Sequence, residues 1–102
     1  MSAGANAAFK ARFKPGDRVR VRKAYPPGHI RTPFYIRGHH GVIAHALGPF
    51  ANPEELAYAR SGLPAQPLYR VRFEQREVWP DYRGPAHDTL DVEIFQHWLD
   101  PA

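Results

Sequence analysis

The chain has 102 residues, 43% of them hydrophobic and 24% charged, a size and balance that suit one globular domain with a single small core. It has no cysteine, which removes disulfides, zinc ribbons and thiol nucleophiles, and no apolar run of membrane-spanning length. The net charge of +4 hides an asymmetry: residues 1–50 carry nine Lys/Arg against the single acid Asp17, and residues 51–102 carry five against nine acids. Eleven of the fourteen cations are Arg, the cation suited to planar, bidentate recognition of oxyanions. The eleven prolines point to many irregular connections.

Residues 1–12 read as a leader of small residues without the basic start and Leu-rich centre of a signal peptide, so the expected compartment is the cytoplasm. The domain is expected over 13–102. Lys14-Pro15-Gly16-Asp17 is a turn, and Val19 and Val21 alternating with Arg18, Arg20 and Arg22 predict a strand with one buried face. A proline-rich arm follows from Tyr25 to Arg37. Pro26, Pro27 and Pro33 exclude regular ladder or helix bonding there, which leaves Tyr25, Phe34 and Tyr35 as anchors.

Gly38 to Leu47 predicts a second strand centred on Val42 and Ile43 and closed by Gly48-Pro49. Asn52-Pro53-Glu54-Glu55 has the cap, first-position proline and acidic first turn of a helix ending near Ser61-Gly62. Leu68 to Glu74 alternates Tyr69, Val71 and Phe73 with Arg70, Arg72 and Glu74, and Arg76 to Trp79 is expected to continue that strand beyond a bend. After a loop at Tyr82-Arg83-Gly84-Pro85, Leu90, Val92 and Ile94 mark a last strand, with Phe95, Trp98 and Leu99 in a closing helical turn before Pro101. Short strands joined by Gly/Pro turns bury little as a flat sheet. The predicted fold is therefore mainly β, a small SH3-like barrel with an irregular proline-rich arm and one short helix, with Val19, Val21, Val42, Val71, Phe73, Val92 and Ile94 inside.

The chemistry-bearing candidates are few. Arg31 and Arg37 sit in the arm beside His29, Phe34 and Tyr35. His39, His40 and His45 have neither cysteine nor a carboxylate close in sequence, so no metal ligands are assigned. No serine triad can be assembled, Gly38 to Gly41 lacks the spacing and lysine of a phosphate loop, and Trp79 and Trp98 are expected in the core and closing the barrel, with an interface role for one of them as the alternative.

The ordered set Phe13-Lys14-Pro15-Gly16-Asp17-Arg18-Val19-Arg20-Val21-Arg22, Gly28-His29-Ile30-Arg31-Thr32-Pro33-Phe34-Tyr35-Ile36-Arg37-Gly38, Pro67-Leu68-Tyr69-Arg70-Val71-Arg72-Phe73, Trp79 and Trp98-Leu99-Asp100-Pro101 closely resembles the C-terminal half of the nitrile hydratase β subunit. The corresponding small subunit of thiocyanate hydrolase is similar. In that family the Fe(III) or Co(III) lies in the α subunit, in a claw of cysteine sulfurs, two of them oxidised, and backbone amide nitrogens. The resemblance implies a β-type, non-metal-binding subunit, inactive alone, of an enzyme hydrating a carbon–nitrogen triple bond. By position in the motif Arg31 resembles an arginine that hydrogen-bonds the oxidised cysteines across the interface, with Arg37, His29, Phe34 and Tyr35 as binding residues around it. The length also implies a split β subunit whose N-terminal half is a separate chain, and an arm that leaves aromatic surface able to support a homo-oligomer in isolation. Two other readings stay open: an accessory protein that delivers metal to the α subunit, and a stand-alone basic barrel holding nucleic acid on Arg18, Arg20, Arg22, Arg70 and Arg72.

Overall fold

The computed structural model describes residues 10–24, 26, 30, 32–51, 53–56 and 65–102, with backbone only for residues 53 and 55. His29, Arg31, Tyr25, Asn52 and the helix end expected at Ser61-Gly62 lie outside the described residues. The strands are β1 (Arg18–Val21), β2 (His40–Phe50), β3 (Gln66–Glu74), β4 (Thr89–Phe95) and β5 (Leu99–Pro101). They form one antiparallel sheet in the order β4-β3-β2-β1-β5.

That order forces the sheet to bend. β4 and β5 are its opposite edges, which would stand about 19 Å apart in a flat sheet of four inter-strand spacings. Yet only the 3-10 turn Gln96–Trp98 joins Phe95 to Leu99, a link of about 8 Å at the rise of such a turn. The sheet therefore curls until its edges nearly meet, as the expected small barrel requires. β2 makes the bend, with register shifts between Ile43 and His45 and between Ala46 and Gly48. It runs to Phe50, through the Gly48-Pro49 step expected to end it, and Gly48 supplies a φ of 100° at the second irregularity.

The enclosed core holds Val19 and Val21 of β1, Ile43 of β2, Tyr69, Val71 and Phe73 of β3, Ile94 of β4, and Ile36, Trp98 and Leu99. Fully burying each aliphatic or aromatic member contributes about 1.5–3 kcal/mol. Two of the expected core positions differ. Val42 is 40% exposed, on the outer row with its cross-strand partners Arg18 and Arg72, because Gly41 and Ile43 take the inward places on β2. Val92 faces inward opposite Val71 but is only half-buried, since β4 is an edge strand.

Among the described residues two short helical stretches flank the sheet: α1 (Pro53–Leu56), after which residues 57–64 lie outside the described residues, and α2 (Gln75–Val78). α2 replaces the strand extension expected over Arg76 to Trp79. Its Val78 is buried, and the backbone N–H of Trp79 donates to the Gln75 carbonyl at 2.9 Å. Among the described residues no helix is long and apolar enough to cross a membrane.

Candidate functional site

Ile36 is the pivot of the arm. It is fully buried in a 3-10 turn, Phe34–Ile36, so its two predecessors emerge at the surface. Gly38, at φ 85°, returns the chain to β1, where its N–H donates to the Val21 carbonyl at 2.8 Å and the Val21 N–H donates to the His39 carbonyl at 3.0 Å. Phe34 is left 72% exposed. Tyr35 is half-buried and stacks on Trp79, with centroids 5.3 Å apart and planes at 25°. Trp79, expected in the core or as a barrel-closing residue, is 42% exposed, and its indole Nε1–H donates to Gln75 Oε1 at 2.9 Å. Arm and α2 thus share one aromatic platform whose indole N–H is already satisfied, which leaves apolar ring surface facing out.

Arg37 turns inward. Its Nη1 donates to the Ala24 carbonyl at 3.0 Å, its Nε and Nη2 to the Thr32 carbonyl at 3.2 and 2.6 Å, and its guanidinium lies 4.7 Å from the centroid of the Trp98 ring. Thr32 is buried.

The histidines acquire a carboxylate that sequence distance hid. Glu77 of α2 sits at the start of β2, its Oε2 3.1 Å from His39 Nδ1, 3.2 Å from the His40 N–H nitrogen and 3.8 Å from His40 Nδ1. Burial would raise the Glu77 carboxyl, but the His40 N–H and the two imidazoles outweigh it and hold the carboxyl below its usual value. Among the described residues no group of three His, Cys, Asp or Glu side chains has the arrangement to hold a metal ion.

The basic row of the outer face is partly neutralised. Arg72 makes a two-pronged contact with Asp91 at 2.9 and 3.1 Å, Arg70 reaches Glu93 at 3.2 Å, and Arg22 donates to the His97 carbonyl at 3.1 Å. The Arg72 guanidinium holds the Asp91 carboxyl below the usual carboxylate range. A nucleic-acid stripe through Arg70 and Arg72 would first have to break those pairs.

Two hubs went unrecognised in the sequence. Tyr69 donates its hydroxyl to Gln96 Oε1 at 2.7 Å and accepts the N–H groups of Arg12 and Phe13 at 3.2 Å each, while Gln96 Nε2 donates to the Lys10 carbonyl at 3.0 Å. Glu54 of α1 takes the Trp98 indole N–H at 2.8 Å and lies 3.2 Å from His97 Nε2. A Glu in a predicted helix start and a Trp near the C-terminus carry no sequence signal that they meet.

Residues 2–101 match the family model described as nitrile hydratase beta subunit, C-terminal. The chain is 37% identical over 93 residues to the nitrile hydratase subunit beta of Pseudomonas chlororaphis, covering 88% of this chain and 40% of that protein, and 38% identical over 95 residues to its namesake from Rhodococcus erythropolis, covering 88% and 42%. It thus spans about two fifths the length of these relatives. Against the thiocyanate hydrolase subunit alpha of Thiobacillus thioparus it is 32% identical, covering 93% of this chain and 75% of that protein. In a solved structure of the recombinant apo-enzyme of that thiocyanate hydrolase, one chain matches with a TM-score of 0.87 at 32% identity, over 94% of this chain and 80% of that one. The chain belongs to the family formed by the C-terminal domain of nitrile hydratase β subunits.

Proposed function

We propose that the chain is a non-metal-binding, β-type subunit of a nitrile hydratase or thiocyanate hydrolase-like enzyme, completing an active site whose Fe(III) or Co(III) is held by a partner α-type subunit. The family match over residues 2–101 carries this reading. The exposed platform of Phe34 and Trp79 supports it as the face on which a partner packs. With no cysteine, this chain leaves the metal claw to that partner. The partner's metal supplies Lewis-acid activation for adding water across the carbon–nitrogen triple bond. This chain supplies the guanidinium of Arg31, which donates to the oxygens of oxidised partner cysteines, with His29, Arg37, Phe34 and Tyr35 around it. The reading includes a separate chain for the N-terminal half, in keeping with the likeness to the thiocyanate hydrolase subunit alpha, 75% of which this chain covers.

The test is reconstitution. The chain is co-expressed with a claw-bearing α-type subunit and a chain carrying the N-terminal half, and amide formation from nitriles and hydrolysis of thiocyanate are assayed. Turnover by the complex, its loss when this chain is omitted, and none from this chain alone support the reading. Metal loading of the α-type subunit that persists after this chain is removed would instead identify an accessory that delivers metal. Arg31→Lys should lower turnover by more than about tenfold while the complex still assembles, because lysine keeps the charge and loses the planar fork.

A further inference from the structure

A cavity of 230 Å³ lies between the segment before β1, the start of β3 and the closing 3-10 turn, lined by Arg12, Gln66, Gln96 and His97. None of the four is a carboxylate. Gln96 is engaged: its Oε1 accepts from Tyr69 and from the Arg12 backbone N–H, and its Nε2 donates to the Lys10 carbonyl, which leaves that amide one N–H to give. His97 is engaged through Nε2, 3.2 Å from Glu54 Oε1. Gln66 is not. It is only 8% exposed, yet among the described residues its carboxamide has no hydrogen-bond partner. A side-chain amide buried to that degree is normally bonded. Among the described residues the side-chain polar atom that is both sealed from solvent and unpartnered is His97 Nδ1, so the Gln66 amide keeps access to solvent, through the cavity it lines. The Arg12 guanidinium rests 5.1 Å from the centroid of the Phe13 ring and likewise has neither ion pair nor hydrogen bond among the described residues.

We propose that this cavity binds a small carboxylate, with Gln66 and Arg12 as its principal donors. A carboxylate presents two oxygens that accept several bonds in one plane. The wall offers the planar fork of Arg12, the amide N–H groups of Gln66 and the remaining N–H of Gln96. A divalent cation would find no carboxylate to hold it and an arginine that stays charged. An uncharged amide would satisfy Gln66 but leave Arg12 without a counter-charge. The volume admits a molecule of a few heavy atoms, since one water's share of the liquid is about 30 Å³. The same group could arrive as a free small acid or as an acidic side chain of a partner. The site is independent of the reading as a β-type subunit, and its test needs no α-type partner.

The isotope-labelled full chain is titrated with sodium butyrate, with sodium chloride at matched ionic strength, and with butyramide, the uncharged amide of similar shape. The side-chain N–H resonances of Gln66, Gln96 and Arg12 are followed. Butyrate should shift them saturably, with a dissociation constant on the order of 1–10 mM, and butyramide should bind at least about tenfold more weakly. Gln66→Leu and Arg12→Gln should each weaken butyrate about tenfold, with the backbone signals of β2 and β4 unchanged. Should Gln66→Leu disturb those signals, Arg12→Gln, at an exposed position, decides the site. Blocked glutamate, the same carboxylate on a peptide backbone, separates the two sources: tighter binding than butyrate assigns the site to a partner's side chain, and equal or weaker binding to a free acid, either of which upholds it. Shifts that do not saturate, equal shifts with chloride, butyramide binding as tightly as butyrate, or full affinity in Arg12→Gln would each overturn the proposal.

Discussion

Tyr35 and Trp79 come from segments 44 residues apart and stack with their planes only 25° from parallel. The contact makes the arm and α2 one surface. The indole N–H of Trp79 is taken by Gln75, so its exposed part offers a partner ring carbon and no unmet polar group. A surface aromatic that is oriented before binding costs little further ordering when it is buried, which is the character of an interface anchor.

Replacing Phe34 by alanine should leave the stability of the isolated chain within about 0.5 kcal/mol, since most of the ring is already in water. Trp79→Ala should cost the isolated chain about 1 kcal/mol through lost stacking on Tyr35, and cost assembly with an α-type partner about 2 kcal/mol or more. Thermal unfolding gives the first quantity and titration binding the second. A Trp79→Ala chain that binds as tightly as wild type would remove the platform from the interface.

Tyr69→Phe should destabilise the barrel by about 1–3 kcal/mol. The substitution keeps the ring in its buried place, edge-on to Phe13, and removes one oxygen, but that oxygen accepts from Arg12 and Phe13 and donates to Gln96. Two backbone N–H groups lose an acceptor at once, although Arg12 retains Gln96 Oε1 at 2.8 Å. Amide exchange at residues 12 and 13 should therefore speed up more than exchange in β3. Uniform acceleration would show that Tyr69 supports the barrel and not specifically the incoming segment.

Period-two alternation made β1, β3 and β4 legible in the sequence, because over Arg18–Val21, Tyr69–Glu74 and Thr89–Ile94 the inward residues are more buried than their outward neighbours, whereas the start of β3 and the end of β4 are buried on both faces. β2 was ambiguous where it mattered. Val42 and Ile43 are adjacent and both apolar, so only the pairing of Gly41 with Val19 decides which of them points in, and that is a fact about two strands. The segment after β3 failed for another reason: Gln75–Val78 is too short for helical periodicity to be read, and Gln75 N–H bonding to the Asp88 carbonyl sets its start from across a loop. The arm stood out by its prolines, arginines and aromatics. The partners of those residues did not, since Trp79 on Tyr35, Glu54 on Trp98 and Glu77 on His39 are all contacts at long sequence range.

Gly41→Ala should be strongly disfavoured although φ is ordinary there. An added Cβ would lie 2.8 Å from Val71 Cγ1 and 2.9 Å from the Arg72 carbonyl oxygen, and the second is backbone of the neighbouring strand and cannot move aside as a side chain can. β2 and β3 would have to separate at the centre of the sheet. Overpacking of this kind costs about 1–3 kcal/mol, and a Val71→Ala companion change should recover only the part due to the side-chain contact. Gly48→Ala has open space around the new atom and is strained only by its φ of 100°, so comparing the two melting temperatures separates crowding from backbone strain.

Glu77 should give the barrel an acid-sensitive element. Burial acts to raise its carboxyl, but the His40 N–H and the His39 and His40 rings outweigh that and lower it below its ordinary value of 4.5. A group whose folded value is depressed stabilises the fold above its unfolded value, and that contribution disappears as pH falls through the folded value. Asp17, lowered by the Lys14 backbone N–H, and Asp91, lowered by Arg72, lose their contributions in the same acid region, so the wild-type curve alone cannot assign the effect. The difference between wild type and Glu77→Gln can. Glutamine keeps an oxygen for the His40 N–H and loses the charge, so wild type should be the more stable by under about 1 kcal/mol near neutral pH, a small figure because the carboxylate is partly in solvent. Followed by denaturant unfolding, the gap should hold down to about pH 5 and close towards pH 3. A gap that stayed constant over that range, or widened in acid, would show that the carboxylate charge contributes nothing to joining α2 to β2.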